Sequence, residues 1–247
     1  MTRLETKYYP ESRFGGFTAC DSTVAFYTRV NALAAAGPAR VVVDFGCGRG
    51  VYAEDAIPFR RQLRDLRGAG RTVIGMDVDS RAASNPFVDE FRMAEPGGKW
   101  PAEDDSADLV IADFVVEHLE DPDRFLAEAA RVLKRGGHVA IRTPNSAGYV
   151  VWISRIVPGK LHRTVLRRAQ PDREEEDVFP AVYHCNSAPR LRRALAGHGF
   201  DAVAYGHGAE PSYLGFSRWI YRLGVTYHRH APLSLAPVLF AFGRLER

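Results

Sequence analysis

Cysteine is scarce in this chain: Cys20, Cys47 and Cys185 are the only three among 247 residues. They are too few and too scattered for a disulfide framework or a zinc site, as suits a reducing compartment. Long apolar runs are also missing. None approaches the roughly 20 residues that a membrane span needs, and the opening MTRLETKYYPESR has no apolar segment of the kind a secretory signal carries. The expected location is cytoplasmic. His162, His184, His198, His207, His228 and His230 show no tight spacing with carboxylates, so no metal is expected. The formal charge of +3 is too small an excess to imply nucleic acid. No RNA-binding module is recognisable either, and no nucleic-acid partner is expected.

With 46% hydrophobic and 26% charged residues, the chain can bury the core of one α/β domain. A helix is predicted over about 22–36, with Asp21 as N-cap and Gly37 as stop. Apolar runs then alternate with helical ones. RVVVDF reads as a strand, VYAEDAIPFRRQLRDL as helical with a break near Pro58, and TVIGMD and ADLVIAD as strands. DPDRFLAEAARVLKRGG reads as a helix with Phe125, Leu126, Ala129, Val132 and Leu133 on one face, and HVAIRT as a strand. Short Val/Ile-rich strands separated by helices predict a doubly wound, mostly parallel sheet covered on both faces. Further on come a helix near 187–198, a strand DAVAYG and a last strand in LAPVLFAFGRLE. The expected organisation is a single domain: an N-terminal cap over 1–37, a ligand-binding core over 38–145, a lid or substrate-recognition insertion over 146–186, and the rest of the sheet over 187–247.

The stretch VVVDFGCGRG at 41–50 places a glycine turn directly after the first strand. In a doubly wound sheet ligands sit at the carboxyl ends of the strands, and such glycines let backbone approach them. The dinucleotide fingerprint needs a glycine where Val51 stands, and no lysine follows the glycines as a phosphate-cradling P-loop requires. What remains is Asp44, whose carboxylate can accept from an ammonium group or from loop amides, and Asp77 at the end of the next strand, where a carboxylate can bind two ribose hydroxyls. An adenosine ligand without pyrophosphate fits both.

Taken together, VVVDFGCGRG, VIGMD and ADLVIADFVVEHLEDPDRFLAEAARVLKRGGHVAIRTPN resemble the class I S-adenosylmethionine-dependent methyltransferases of the small-molecule group. Four separated motifs appear in order over about 40–145. The resemblance implies a Rossmann-like, seven-stranded sheet with an antiparallel last strand and S-adenosylmethionine as cofactor. It also implies that Asp44, Gly46, Cys47 and Gly48 line the methionine part, that Asp77 and Val78 meet the ribose, and that Asp113 and the loop after it lie near the sulfonium. The family's usual acid for the adenine amino group is replaced here by RMAEPGGKWPAEDD, in which Glu95 is the nearest candidate. Trp100 either covers the adenine ring or packs in the core.

For the chemistry, His118 is the candidate general base, because an imidazole titrates near neutral pH; the alternative is a structural histidine that fixes its loop. Glu117 is expected on backbone amides. Asn145, Tyr183, His184 and Tyr213 are candidates for contact with a small-molecule acceptor, Asn145 with a turn role as its alternative, and Trp219 is a further candidate. Arg13 in the aromatic segment YYPESRFGGF is expected to offer a cation to the methionine carboxylate while Tyr8, Tyr9 and Phe17 close over the site. The basic stretch 151–170 has three readings: a lid meeting an anionic acceptor, an interfacial helix on anionic lipid, and a solvated face balanced by DREEED. The expected activity is methyl transfer to a small molecule, with O-methylation of a natural product or sugar derivative favoured. N- or C-methylation and a catalytically silent S-adenosylmethionine-binding protein are the alternatives.

Overall fold

The computed structural model describes residues 3–37, 40–68, 70–149, 151–152 and 181–246. The basic stretch from 153 onward and the DREEED run lie outside the described residues. Helix α1 (Arg3–Tyr8) and a 3-10 turn (Pro10–Arg13) lead to α2 (Ser22–Ala35). Asp21 caps α2 as expected, its Oδ1 accepting from the amides of Thr23 at 2.9 Å and Val24 at 3.0 Å. Strand β1 (Val41–Phe45) is followed by a 3-10 turn (Val51–Glu54) and α3 (Pro58–Arg64), so the predicted break falls at Pro58, which opens the helix. Next come β2 (Thr72–Asp77), β3 (Glu90–Met93), β4 (Ala107–Asp113), α4 (Pro122–Val132), β5 (Leu133–Pro144), α5 (Ala188–Gly197), β6 (Phe200–His207), α6 (Arg218–His230) and β7 (Val238–Leu245).

The seven strands form one sheet in the order β3-β2-β1-β4-β5-β7-β6. Strands β1 to β5 pair in parallel, while β7 runs antiparallel between β5 and β6. Alternation along β4 separates two cores: Leu109 and Ile111 face Phe26, Tyr27 and Val30 of α2, whereas Val110 and Ala112 join Phe125, Leu126 and Leu191 on the other face. All five parallel strands end at one edge, at Phe45, Asp77, Met93, Asp113 and Pro144.

Two segments differ from the sequence expectation. The helix predicted through Gly137 stops at Val132, and Leu133 turns extended to pair beside Ala107. The sheet wins because Leu133 is fully buried there, and the register shift that follows uses Gly136 at a φ of 79°. Second, the aromatic segment 208–224, which carries the acceptor candidates Tyr213 and Trp219 and for which the sequence predicts no helix, folds as a 3-10 turn (Ser212–Leu214) and then α6. A Cβ at Gly224 would stand 2.7 Å from both Leu214 and Pro211, so this interior glycine permits close packing at the cost of the helix signal.

Candidate functional site

The chain leaves β1 through Gly46, Gly48 and Gly50, at φ values of 70°, 55° and 70°. Such angles strain any other residue, but the three differ in what surrounds them. A Cβ on Gly46 would come within 2.4 Å of Val115, and one on Gly50 within 2.5 Å of the Asn85 side chain. A Cβ on Gly48 would meet nothing within 4 Å. The outer glycines are therefore fixed by packing, and the middle one leaves open space over its backbone.

The turn is held from below. Asn85, buried, donates through Nδ2 to the carbonyls of Cys47 at 2.9 Å and Gly48 at 3.1 Å. Asp77 accepts from the Gly48 amide at 2.9 Å on one carboxylate oxygen and from the Asp79 amide at 2.9 Å on the other. An ionised carboxylate has about four acceptor positions, so two are left. Asp79 itself caps the next short turn through the Arg81 amide. The Cys47 side chain points inward, where a Cβ on Gly75 would be 2.8 Å from its sulfur, and burial pushes its thiol well above the ordinary range.

The Asp44 carboxylate accepts no hydrogen bond from any described residue. Its pKa is pushed up to about 7, first by burial and then by the neighbouring charge of Asp113, with Arg64 opposing and Asp77 adding. The Arg64 guanidinium lies 4.6 Å from the centre of the Tyr52 ring and 5.4 Å from that of Tyr27. Asp113, by contrast, is fully engaged. Arg142 donates to it through Nε at 2.6 Å and Nη2 at 2.7 Å, and the Tyr27 hydroxyl adds a bond at 3.0 Å. Burial raises the Asp113 pKa, but the Arg142 charge and hydrogen bonds outweigh it and hold the carboxyl below the usual range. Its carboxylate thus shapes the field over Asp44 with its oxygens already committed. The next residue, Phe114, has a φ of 57°, is 41% exposed and sits 4.8 Å under the Arg142 guanidinium, a strained aromatic at the edge where the strands end.

Beside Asp77, the exposed side chains of Val78 and Met93 form an apolar ledge, and the Ala94 amide donates to the Asp77 carbonyl at 2.8 Å. Glu95 follows, exposed, in a turn closed by the Gly98 amide. Trp100 is core: it stacks on Phe45 at 4.4 Å and is 5% exposed.

His118 ends a short 3-10 turn (Val116–His118), with its side chain one-quarter exposed and Nε2 4.0 Å from Glu117 Oε1. Glu117 is buried; its Oε2 accepts from Thr143 Oγ1 at 2.8 Å, and its carbonyl accepts from the amides of Val182 and Tyr183. Tyr183 is therefore tied to the loop after β4. His184, one residue on, is exposed in a surface depression of about 400 Å³ lined by Pro122, Asp123, Cys185 and Arg190, which shares no residue with the glycine turn. Asn145 takes the turn role: Nδ2 donates to the carbonyls of Ser234 at 2.9 Å and Ala236 at 2.8 Å, and Oδ1 accepts from the Ala147 amide. Tyr213 stands in the turn before α6, and its side chain lies outside the described residues. Arg13 is exposed at the end of its 3-10 turn. Tyr8 and Tyr9 pack on Tyr221 and Val225 of α6, and Phe17 stacks on Phe59 at 5.2 Å; they brace the cap, and neither tyrosine's described packing involves the glycine turn. Among the described residues no group of three or more His, Cys, Asp or Glu could hold a metal ion.

Sequence reasoning missed Asn85, Arg142, Tyr27, Arg64 and Phe114. Asn85-Pro86 reads as turn chemistry, and only the fold shows that its amide clamps a loop 38 residues earlier.

A parallel sheet with a β7 inserted antiparallel, a glycine turn after β1 and acids at the ends of β1 and β2 define a nucleoside-binding α/β domain of the methyltransferase type. The comparisons agree: the methyltransferase domain family matches residues 22–205, and the chain belongs to it, as a member of the class I S-adenosylmethionine-dependent methyltransferases. A protein of Mycobacterium tuberculosis named as a probable S-adenosylmethionine-dependent methyltransferase is 33% identical over 177 residues, covering 67% of this chain and 58% of that protein. The match thus spans little more than half of that relative's length. A ubiquinone biosynthesis O-methyltransferase of Thiobacillus denitrificans is 32% identical over 42% of this chain and 44% of its own. Among solved structures, an S-adenosylmethionine-dependent methyltransferase of Archaeoglobus fulgidus superposes with a TM-score of 0.53 at 18% identity, covering 95% of this chain and 97% of that one. The [4+2]-cyclase SpnF superposes at 0.51 with 16% identity, covering 89% and 80%. At those identities the likeness is one of fold.

Proposed function

We propose that this chain binds S-adenosylmethionine at the carboxyl edge of the sheet and transfers its methyl group to a small-molecule acceptor, an oxygen nucleophile on a natural product or sugar derivative being the favoured target. The observation that carries the reading is Asp44: a carboxylate without a hydrogen bond from the described residues, beside a glycine backbone with open space above it and within the field of Asp77. Such a group gains most from a cationic ligand, and the methionine ammonium supplies one. Asp77 has acceptor positions left for the two ribose hydroxyls, Val78 and Met93 offer apolar faces to the adenine, and Glu95, exposed just after β3, is the acid we assign to its amino group. The backbone at Cys47 and Gly48 borders the methionine part.

Bound there, the cofactor supplies a sulfonium-activated methyl group. The protein's work is then alignment and water exclusion, which proximity makes worth several orders of magnitude in rate. Phe114 and the turn Val116–His118 border the acceptor side. His118 would take up the acceptor's hydroxyl proton on its imidazole as the methyl group is transferred. Tyr183, tied to that turn by the hydrogen bond its amide donates to the Glu117 carbonyl, lines the acceptor side.

The second reading is a catalytically silent S-adenosylmethionine-binding protein, since one fold hosts more than one activity and a neighbour in fold is named as a [4+2]-cyclase. Calorimetric titration with S-adenosylmethionine, S-adenosylhomocysteine and NAD, on wild type and Asp77→Ala, separates these. We expect binding of the first two, weakened at least about tenfold in the variant by loss of two charge-assisted hydrogen bonds. Binding of NAD instead, or of none, rejects the proposal; binding with no turnover across an acceptor screen favours the silent protein.

A further inference from the structure

Helix α6 has two apolar faces, and only one is covered. Tyr221, Gly224 and Val225 are buried, the inner face meeting Tyr9, Tyr8 and Leu4 of the N-terminal segment. On the outer face Trp219 is 62% exposed, Leu223 70% and Ile220 39%, with Phe216 at 60% just before the helix and Leu233 at 64% just after it. Residues 219, 220 and 223 recur at helical spacing, so this is one stripe. Monomeric soluble proteins rarely leave such a stripe bare.

The charges on α6 have one sign. Its sequence RWIYRLGVTYHRH holds Arg218, Arg222 and Arg229, with His228 and His230, and no Asp or Glu. The three arginines are exposed, and the Arg218 guanidinium lies 4.9 Å from the Trp219 ring. Two acids that act on this helix, Glu5 and Glu210, do so through Tyr221 on the inner face. An acid-free basic helix with Trp, Ile and Leu outward matches an interface that is apolar below and anionic above.

Position adds the next step. Helix α6 connects β6, which ends at His207, to β7, whose Val238 pairs with both His207 and Pro144 at the carboxyl end of β5. It therefore lies toward the edge of the sheet that carries the glycine turn.

We propose that α6 is an interfacial anchor that seats this edge of the molecule on an anionic lipid bilayer, with Trp219, Ile220 and Leu223 entering the headgroup–acyl boundary and Arg218, Arg222 and Arg229 meeting lipid phosphates. Among the described residues no helix is long and apolar enough to cross a membrane, so the contact is peripheral. For the acceptor this implies an amphiphile taken from the bilayer surface; that consequence rests on the function proposed above, whereas the anchoring does not.

The test is co-sedimentation with vesicles of phosphatidylcholine alone and with phosphatidylglycerol added, at low and high salt. Wild type should bind the anionic vesicles, less at high salt. Trp219→Glu/Leu223→Glu should lower partitioning at least about tenfold, and each of Arg218→Gln and Arg222→Gln about fivefold. Val203, 57% exposed on β6, provides the control: Val203→Glu should bind as wild type does. Cofactor titration of the double variant should be unchanged, which shows that it is folded. No binding of wild type to anionic vesicles, or equal binding by the double variant, overturns the proposal. A dimer in sedimentation velocity that the double variant abolishes, without vesicle binding, overturns it in favour of a second copy. Absence of cofactor binding in wild type would reject the function proposed above and leave the anchor standing.

Discussion

Asp44 is the residue whose ionisation the fold opposes. Its folded pKa of about 7 stands above the ordinary 3.8 of an aspartate, so the native state binds its proton more tightly than the unfolded chain does. The sign follows: this contribution to stability is fully present below about pH 4 and is lost as pH rises through 7. Wild type without ligand should therefore lose about 2–3 kcal/mol relative to Asp44→Asn between pH 5 and pH 8, read from denaturant midpoints. The same group predicts that S-adenosylmethionine affinity rises with pH up to about 7 and then levels, with proton release visible as a buffer-dependent heat near pH 6.5. A flat profile in both would remove Asp44 from the ammonium site. His118 makes a different prediction. His118→Ala should lower turnover by about a hundredfold or more while leaving cofactor affinity nearly unchanged; unaffected turnover would end its role as base. At this scale the sequence placed Asp44, Gly46, Gly48 and Asp77 correctly at one strand edge, because each sits at a fixed offset from a recognisable strand. It could not show Asn85 reaching the carbonyls of the turn or Arg142 reaching Asp113, since those contacts depend on packing between elements distant in the chain.

Two elements do most to hold the edge in shape, the glycine turn and the β4–β5 tie. Gly46→Ala and Gly48→Ala both put a side chain at positive φ, costing about 1 kcal/mol or more each. Only the first also drives a Cβ to 2.4 Å from Val115. Gly46→Ala should therefore be the more destabilising by thermal unfolding, and Gly48→Ala should mainly weaken cofactor binding, since its methyl enters open space where a ligand would lie. Equal effects of the two on stability and binding would mean that the open space over Gly48 has no such role. The β4–β5 tie is ionic: Arg142→Met would strand the Asp113 carboxylate among aromatic rings, and a loss of about 3–5 kcal/mol is expected. Asp113→Asn/Arg142→Met should recover much of it. Legibility at this scale was uneven for a physical reason. Strands β1, β2 and β4 are buried on both faces and read as apolar runs, whereas the end of α4 was set by the sheet recruiting Leu133. Helix α6 was hidden by its aromatics and by Gly224, which lower helix propensity while tertiary packing supplies what propensity lacks.

Across the whole molecule the N-terminal segment and α6 form one cap, joined by Tyr9, Tyr221 and Val225 and by the Thr18 hydroxyl donating to Glu210. The sheet does not need that cap to close, because its two large cores lie on either side of β1, β4 and β5. Removing residues 1–17 should thus leave a single cooperative unfolding transition. It uncovers the inner face of α6, however, and strips the Phe17–Phe59 stack beside α3. A loss of about 1–2 kcal/mol from that small cluster corresponds to roughly 2–8 °C in Tm for a chain of this size. If the cap also screens the cofactor from water, affinity should fall well beyond what the destabilisation accounts for, measured at a temperature where the truncated protein is fully folded. A lower Tm with unchanged affinity would make the cap a stabilising strap for α6. Both falling together would make it part of the binding site, with Phe17 and its partners on α3 shielding the space that Gly48 leaves open.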